Sequence, residues 1–509
     1  MNLFLTCLPP SHYHQHQSNT KGRRVTKHPK ATFLALFGLL ILAGPAAVQA
    51  QFSYMTNDDH STITIIGYTG PGEAVTIPAT ITGLPVTSIA DFAFYARTSL
   101  TSVTIPNSVT NIGFEAFYDC TSLTSVTIPH SVTSIGGWAF QYCTNLGAIT
   151  VDVLNSVYSS VAGVLFDRSQ TTLIAYPGGI AGGYTIPNTI TNVGVGAFGG
   201  CASLTSVTIP NSIANIGDSA FYSCTSLTSV TIPNSVTNIG NSAFYSCTGL
   251  TSVTVGNSVT IIGDYAFASC YGLARATIGS SVAKIGYGTF SDSGLTSVTL
   301  PKSVRMIGDA AFEYCSNLTS VTIGNGVSSI ADFAFDACAS LTSVLIGNSV
   351  SSIGVAAFGR CTSLTSATIP SSVTSIGDAA FLGCTSLTAV YFQGNAPSDG
   401  GAVFGGDNNA TIYYLPGKTG WGTTFGGLPT VPWNPQEQTS SANFGVRTNR
   451  FGFTITGASS LVIVVEACTS LAHPIWSPLQ TNELTSGSAY FSDPQWTNYP
   501  FRFYRIRSP

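Results

Sequence analysis

The side chains that could catalyse a reaction or bind a metal are few and scattered in this sequence. Beyond residue 50 the histidines are His60, His130 and His473, and none lies in a nucleophile, metalloprotease or phosphate-loop motif. The adjacent carboxylates Asp58 and Asp59 lie in a polar stretch typical of a solvated turn rather than of an acid/base pair. The sequence therefore predicts a non-enzymatic protein without a cofactor or metal. Because spatially assembled triads leave no motif, an enzyme stays open as a remote alternative.

Cysteines recur at a regular spacing that suggests a structural role. The spacing of 23 matches no Cys-x-x-Cys zinc pattern. Stacked strands lie about 4.8 Å apart, which is close enough for disulfides, but side chains in register point the same way. A ladder of buried free thiols is favoured, because free cysteine behaves as a small apolar residue. The ladder comprises Cys120, Cys143, Cys201, Cys224, Cys247, Cys270, Cys315, Cys338, Cys361 and Cys384.

Each of these cysteines follows a phenylalanine by three residues, and the phenylalanines mark twelve repeat units. They are Phe94, Phe117, Phe140, Phe198, Phe221, Phe244, Phe267, Phe290, Phe312, Phe335, Phe358 and Phe381. The gap between Phe140 and Phe198 is 58 residues and holds an insert at about 149–178, whose GVLFD and TTLIAYP segments predict a hairpin. A unit of 23 residues cannot bury its own apolar face, so the units must stack into a solenoid.

The pattern inside one unit predicts a strand followed by a turn. In LTSVTIP, Leu100, Val103 and Ile105 face inward, while the intervening Thr and Ser side chains face outward. A short helical turn is expected to carry Ala116 and Phe117 into the core.

An aspartate column precedes that turn. We expect these side chains to cap the free amides of the turn rather than bind a cation. Asn241 in the same column favours capping, because a neutral amide is a poorer ligand for a hard cation. The column contains Asp218, Asp264, Asp309, Asp332 and Asp378.

An outward column of threonines defines the candidate binding face. The face comprises this column and the neighbouring Arg275, and the column contains Thr104, Thr127, Thr150, Thr208, Thr231, Thr254, Thr277, Thr299, Thr322 and Thr368. Regular threonine rows also occur on ice-binding solenoids, so that function is a remote alternative. Arg275 beside the column and Leu345 within it interrupt the regularity that ice would need, and β-branched residues are favoured on any half-exposed strand.

The pattern LxxVxIPxxVxxIGxxAFxxC over residues 84–392 resembles the BspA-like bacterial leucine-rich repeats, also called the Treponema pallidum type. The resemblance implies an α/β solenoid: a right-handed horseshoe of 23-residue units with a parallel sheet of short strands on its concave side. It also implies an exported protein that functions in adhesion or in binding to proteins and matrix.

The N-terminus predicts export. A basic stretch precedes the apolar run FLALFGLLILA, and a small-x-small cleavage site ends at Ala50, so residues 1–50 are predicted to be a signal peptide. That run of 11 residues is too short to span a bilayer comfortably, and no other segment approaches 18 uninterrupted apolar residues, which predicts no integral membrane segment in the mature chain. The expected location is secreted or cell-surface.

The remaining boundaries follow where the repeat begins and stops. We expect an N-terminal cap and first repeat at 51–99, repeats at 100–392, a C-terminal cap at 393–433, a linker at 434–440 and a small antiparallel β-domain at 441–509. The final segments, VVEACTSLAHPIWSPLQT and FRFYRIRSP, look like a C-terminal β-module of exported proteins from Verrucomicrobia-like bacteria.

The low content of charged residues limits the kinds of partner that the protein could bind. Only 8% of the residues are charged, and five of the 18 bases precede residue 31, which leaves 13 bases against 22 acids. Nucleic-acid binding is excluded, since it needs clustered Lys and Arg. The sequence predicts a binding or adhesion protein that recognises an extracellular protein or glycan through its strand face. A structural envelope or matrix element without a specific ligand is the alternative.

Overall fold

The computed structural model describes residues 51–407, 409–439, 443–447, 450–457, 461–471, 474–499 and 501–507. The predicted signal peptide at 1–50 lies outside these residues. Within the described ranges, no helix has the length and apolar character needed to cross a bilayer.

Each repeat contributes two short strands and a turn, and equivalent strands of successive repeats pair in parallel. The first row contains the Ser-Val-Thr strands, in which Val230 pairs with Val253 and Thr231 with Thr254, a step of 23 residues. Its strands are Ala74–Thr76, Ser102–Thr104, Ser125–Ile128, Ala148–Val151, Gly182–Thr185, Leu204–Thr208, Ser229–Thr231, Ser252–Thr254, Arg275–Thr277, Ser297–Thr299, Ser320–Thr322, Ser343–Leu345, Ser366–Ile369, Ala389–Phe392, Thr411–Tyr414 and Leu428–Pro432.

The second row consists mostly of two-residue strands that end in a buried Ile or Val. It contains Ile63–Tyr68, Leu84–Ile89, Asn111–Ile112, Ser134–Ile135, Thr172–Ala175, Asn192–Val193, Asn215–Ile216, Asn238–Ile239, Ile261–Ile262, Lys284–Ile285, Met306–Ile307, Ser329–Ile330, Ser352–Ile353, Ser375–Ile376 and Ser398–Asp399. Antiparallel partners at its ends and corners are Phe52–Thr56, Thr80–Ile81, Tyr158–Val161, Val164–Asp167 and, beside the first row, Thr424–Phe425.

The core between the rows is a stack of phenylalanine rings. Phe244 is fully buried, and its ring centroid lies 4.9 Å from that of Phe221 and 5.1 Å from that of Phe267, with interplanar angles of 5°. The inward Leu, Val and Ile side chains of both strands surround the rings. Repetition therefore supplies each repeat with the apolar cover that it lacks alone.

The expected helical turn at Ala116 and Phe117 is wrong. Glu115 and Asp119 on either side have positive φ values of 51° and 57°, and the Phe117 amide donates across to the Ala139 carbonyl of the next repeat at 2.9 Å. An α-helix would need an uninterrupted right-handed backbone bonded within the segment. Among the described residues the only helix is the 3-10 turn Trp496–Asn498. The α/β label is corrected accordingly to a parallel β-solenoid of 23-residue turns.

The positive φ values of non-glycine residues in the turns lead to a prediction about stability. Ala379 has a φ of 56°, which costs a residue with a Cβ about 1 kcal/mol or more. Ala379→Gly should raise the free energy of unfolding by about 0.5 kcal/mol after the greater entropy of unfolded glycine is subtracted. Ala380→Gly, at the fully buried neighbour, is the matched control and should lower it. Denaturant unfolding measures both, and a loss of stability in Ala379→Gly would contradict the reasoning.

The insert adds one irregular turn to the stack. Tyr158–Val161 and Val164–Asp167 pair antiparallel, and Thr172–Ala175 then pairs in parallel with Asn192–Val193. Tyr176 occupies the phenylalanine column, since its ring lies 5.0 Å from that of Phe198.

The repeat continues into the segment predicted as a C-terminal cap. Phe404 stacks on Phe381 at 5.5 Å, and Thr411–Tyr414 pairs in parallel with Ala389–Phe392. The chain then forms antiparallel strands, of which Gln436–Gln438 falls within the segment predicted as a linker. These strands are Gln436–Gln438, Gly445–Arg447, Arg450–Thr456, Leu461–Cys468, Ser477–Leu484, Ser488–Asp493 and Phe503–Arg507.

Candidate binding face

The threonine column lies in register along the first row of strands. Thr231 pairs with Thr254, and Thr254 pairs with Thr277. The hydroxyls of Thr231, Thr254, Thr277 and Thr299 make no hydrogen bond within the described chain, so they remain available to a partner. The exposed members of the column are Thr104, Thr127, Thr150, Thr208, Thr231, Thr254, Thr277 and Thr299, whereas Thr322 and Thr368 are half-buried.

A second threonine column, three residues earlier in each repeat, has a different role. The Thr251 hydroxyl donates to the Thr228 carbonyl at 3.0 Å, and that of Thr228 donates to the Thr205 carbonyl at 3.3 Å. These hydroxyls stabilise the contact between neighbouring repeats. The sequence pattern shows both columns as outward and does not distinguish them, because the difference depends on which carbonyl each hydroxyl can reach.

A groove of about 700 Å³ runs over the middle of this face. Thr231, Thr254 and Thr277 line it together with Asn234 and Asn257, and no charged side chain does. The Asn234 Oδ1 accepts the Asn257 amide hydrogen at 2.7 Å, which fixes the side-chain orientation. The surface therefore offers hydroxyls and carboxamides to an uncharged, hydrogen-bonding partner.

Two predicted interruptions of the column are present. Arg275 is exposed on the strand between Ser252 and Ser297. Leu345 pairs with Thr322 and is 64% exposed.

The C-terminal end of the face is covered. Thr368 is in register with Tyr391 and Tyr413, which are 2% and 4% exposed. Their rings pack into a buried cluster with C-terminal residues that include Phe453 and Ile455, and the Val462 amide donates to the Tyr391 hydroxyl at 3.3 Å. The signal in the sequence is the run AVYF, which is apolar on both faces and thus indicates a strand buried on both sides.

The ten repeat cysteines are buried, and no disulfide joins cysteines in the described ranges. Nine thiols donate to the carbonyl of a phenylalanine in the preceding repeat at 3.1 to 3.3 Å, and Cys201 donates to that of Tyr176 at 3.6 Å. Burial raises the pKa of the Cys224, Cys247 and Cys270 thiols. Protonated, enclosed thiols react slowly.

These contacts sharpen the prediction of a thiol ladder. Titration of the native, unreduced protein with a thiol reagent should label few cysteines, because the thiols are enclosed. After denaturation without reductant, most of the cysteines should react, the ten ladder positions included. Recovery of almost no free thiol would replace the ladder with a disulfide-stapled solenoid.

The aspartate column caps the neighbouring repeat instead of its own turn. The Asp218 Oδ1 accepts the Asn241 amide hydrogen at 2.8 Å, and the Asn241 Oδ1 accepts that of Asp264 at 2.9 Å. The expectation of a local cap is corrected, because the strand pitch places the next repeat's amide within reach. No three His, Cys, Asp or Glu side chains cluster for metal binding in the described part of the chain.

Comparison with known proteins identifies the repeat. A family model described as "BspA type Leucine rich repeat region (6 copies)" matches residues 73–180, 183–296 and 284–411, which together make up more than half of the chain. No curated protein matches the chain.

Several solved structures are similar. A leucine-rich repeat protein from Bacteroides ovatus is 29% identical, with 72% of this chain and 94% of that chain covered and a TM-score of 0.47. A leucine rich cell surface protein from Faecalibacterium prausnitzii is also 29% identical, with 72% and 93% covered and a TM-score of 0.43. The T. pallidum leucine-rich repeat protein is 30% identical, with 48% and 86% covered and a TM-score of 0.23.

Proposed function

The chain belongs to the BspA-type leucine-rich repeat family, and on that premise we propose that it is an exported, non-catalytic protein that binds an extracellular protein or glycan through its Ser-Val-Thr strands. The family expectation from the sequence is confirmed by the family model. BspA-type repeat proteins are typically surface proteins that mediate protein interactions.

One observation carries the proposal. The threonine hydroxyls in the central groove are exposed and make no hydrogen bond within the described chain, while hydroxyls of the neighbouring column, such as those of Thr228, Thr251 and Thr342, donate to carbonyls of the preceding repeat. A column needed only for stability would be bonded like its neighbour. The uncharged lining favours a neutral polar surface on the partner.

We predict that removal of two central hydroxyls weakens binding. Thr231→Val and Thr254→Val together keep the β-branched shape and remove two hydrogen-bonding groups, each of which contributes about 1 kcal/mol. The expected result is a roughly tenfold or greater loss of affinity for a partner that contacts the groove. The measurement is a binding screen of immobilised matrix proteins and glycans, repeated with the double variant.

The matched control is Thr104→Val with Thr299→Val, in the same column but outside the groove. Failure of the wild type to retain any partner would favour the structural-element alternative. Thermal hysteresis that disappears in the central double variant would instead support ice binding, and both results would contradict recognition through this face.

A further inference from the structure

Turns of neighbouring regular repeats are joined by three amide hydrogen bonds. The amides of Ser219, Phe221 and Ser223 donate to carbonyls of the next repeat at 2.8, 2.7 and 2.8 Å. The same bonds join Glu115, Phe117 and Asp119 to the repeat that contains Phe140. In both cases the three donors point across the space between two turns.

Two of the three bonds are missing after Phe140. Only the Tyr142 amide crosses, to the Gly199 carbonyl at 3.4 Å. The amides of Trp138 and Phe140 have no hydrogen-bond partner among the described residues, although Phe140 is only 6% exposed. The indole Nε1 of Trp138 is likewise buried and unpartnered. A buried donor without a partner costs about 1 to 3 kcal/mol, so the enclosed indole Nε1, next to two amides that lack a protein partner, requires an explanation.

The cause is the length of the inserted turn. Leu173 is in register with Val193, and Tyr176 occupies the column of Phe198. The ring residue Tyr176 follows Leu173 by three positions, whereas Phe198 follows Val193 by five. The inserted turn is therefore two residues shorter at its corner, and the carbonyls that would accept the Trp138 and Phe140 amides are absent.

The missing corner leaves a cavity of about 320 Å³. Trp138 and Gln141 line one wall, glycines at 194, 196 and 199 line the opposite wall, and the rings of Tyr158 and Tyr176 complete the lining. A Cβ at Gly196 would lie 2.0 Å from the Trp138 ring, and one at Gly199 would lie 2.2 Å from the Gln141 amide nitrogen. Glycine thus keeps the large side chains and the cavity in place.

We propose that this cavity binds one neutral sugar ring, such as the terminal unit of a glycan. The two unpartnered amides and the Gln141 carboxamide match the hydroxyl and ring oxygens of a sugar, and the aromatic rings match its C–H face. No charged side chain lines the cavity, so an anion would be buried without a counter-charge. Its volume falls in the range of small-ligand sites, roughly 300 to 1,000 Å³. The site is separate from the strand face and does not depend on it.

The test uses the full mature protein with D-glucose, D-galactose and N-acetyl-D-glucosamine as probes, and binding is followed by saturation-transfer NMR. At least one neutral sugar should show transfer and saturable binding. Gly137→Leu should abolish it, because a Cβ there meets only Phe114 and Val195 at 3.9 to 4.0 Å and the side chain extends from the cavity lining. Trp138→Phe replaces the indole of the cavity wall with a smaller ring, and the loss of contact area should weaken binding at least fivefold.

Matched variants separate the site from general effects. Val355→Leu adds bulk at the same corner of a regular repeat and should leave binding unchanged, as should Trp421→Phe, which lies outside the lining. Circular dichroism and the unfolding midpoint establish that Gly137→Leu is folded. The proposal is overturned if no neutral sugar binds, if binding persists in folded Gly137→Leu, or if N-acetylneuraminic acid binds as tightly as the neutral sugars.

Discussion

Phe244→Ala is expected to lower the free energy of unfolding by about 3 to 5 kcal/mol, as buried aromatic truncations generally do. The Phe244 ring is fully enclosed, with one ring stacked above it and one below. The lost side chain would leave a void inside a continuous column, and neither neighbour can move into it without leaving its other partner.

Denaturant unfolding followed by circular dichroism measures this effect. Tyr245→Ala is the control in the same turn, because Tyr245 stacks on Tyr222 at the half-buried outer side. Its loss should cost clearly less than that of Phe244. An unfolding midpoint of Phe244→Ala equal to that of the wild type would refute the assigned stack.

Asp407 should make the protein less stable as pH rises. Asp407 follows Phe404 by three residues, the position that a cysteine occupies in the preceding repeat. It is 2% exposed, and neither carboxylate oxygen has a hydrogen-bond partner among the described residues. Burial raises its pKa to about 7 from 3.8. The folded state therefore holds the proton more tightly than the unfolded state. The contribution of the protonated Asp407 carboxyl to the free energy of unfolding is complete below pH 4 and is lost as the pH rises to about 7.

Asp407→Asn removes this dependence. Above pH 7 the variant should exceed the wild type in free energy of unfolding by a few kcal/mol, since each unit of pKa difference corresponds to about 1.4 kcal/mol. At pH 4 the two proteins should be nearly equal. Asp399→Asn, at an exposed carboxylate, controls for the change in net charge. Equal stabilities of wild type and Asp407→Asn at pH 8 would count against a buried charge.

The repeat architecture could be predicted from sequence because it depends on local alternation. Val230 faces inward and Thr231 outward in the structure as in the pattern. The backbone of the turn could not be predicted, since Ser242, Tyr265 and Ala379 share one left-handed column without sharing any chemistry that favours positive φ.

The sequence could not predict where the strand face ends or where the cavity lies, because both depend on segments that are distant along the chain. Tyr391 is covered by the C-terminal antiparallel strands that follow the repeats. The sequence of those strands contains no repeat period from which their contact with Tyr391 could be inferred. The cavity beside Trp138 arises from a two-residue deficit inside a 58-residue gap, which becomes visible only when Leu173 is aligned with Val193 by their pairing.

The 23-residue period of the rings has a genetic consequence. Loss or duplication of 23 codons between two regular repeats would join an equivalent strand to an equivalent strand, so the product would keep its rings and thiols in register. Recombination between near-identical LTSVTIPNSVTNIG segments can thus change the length of the protein without a frame or packing defect. An exchange that removed the short turn would bring Trp138 against an ordinary corner and close the cavity, whereas an exchange among the regular repeats would leave the cavity unchanged.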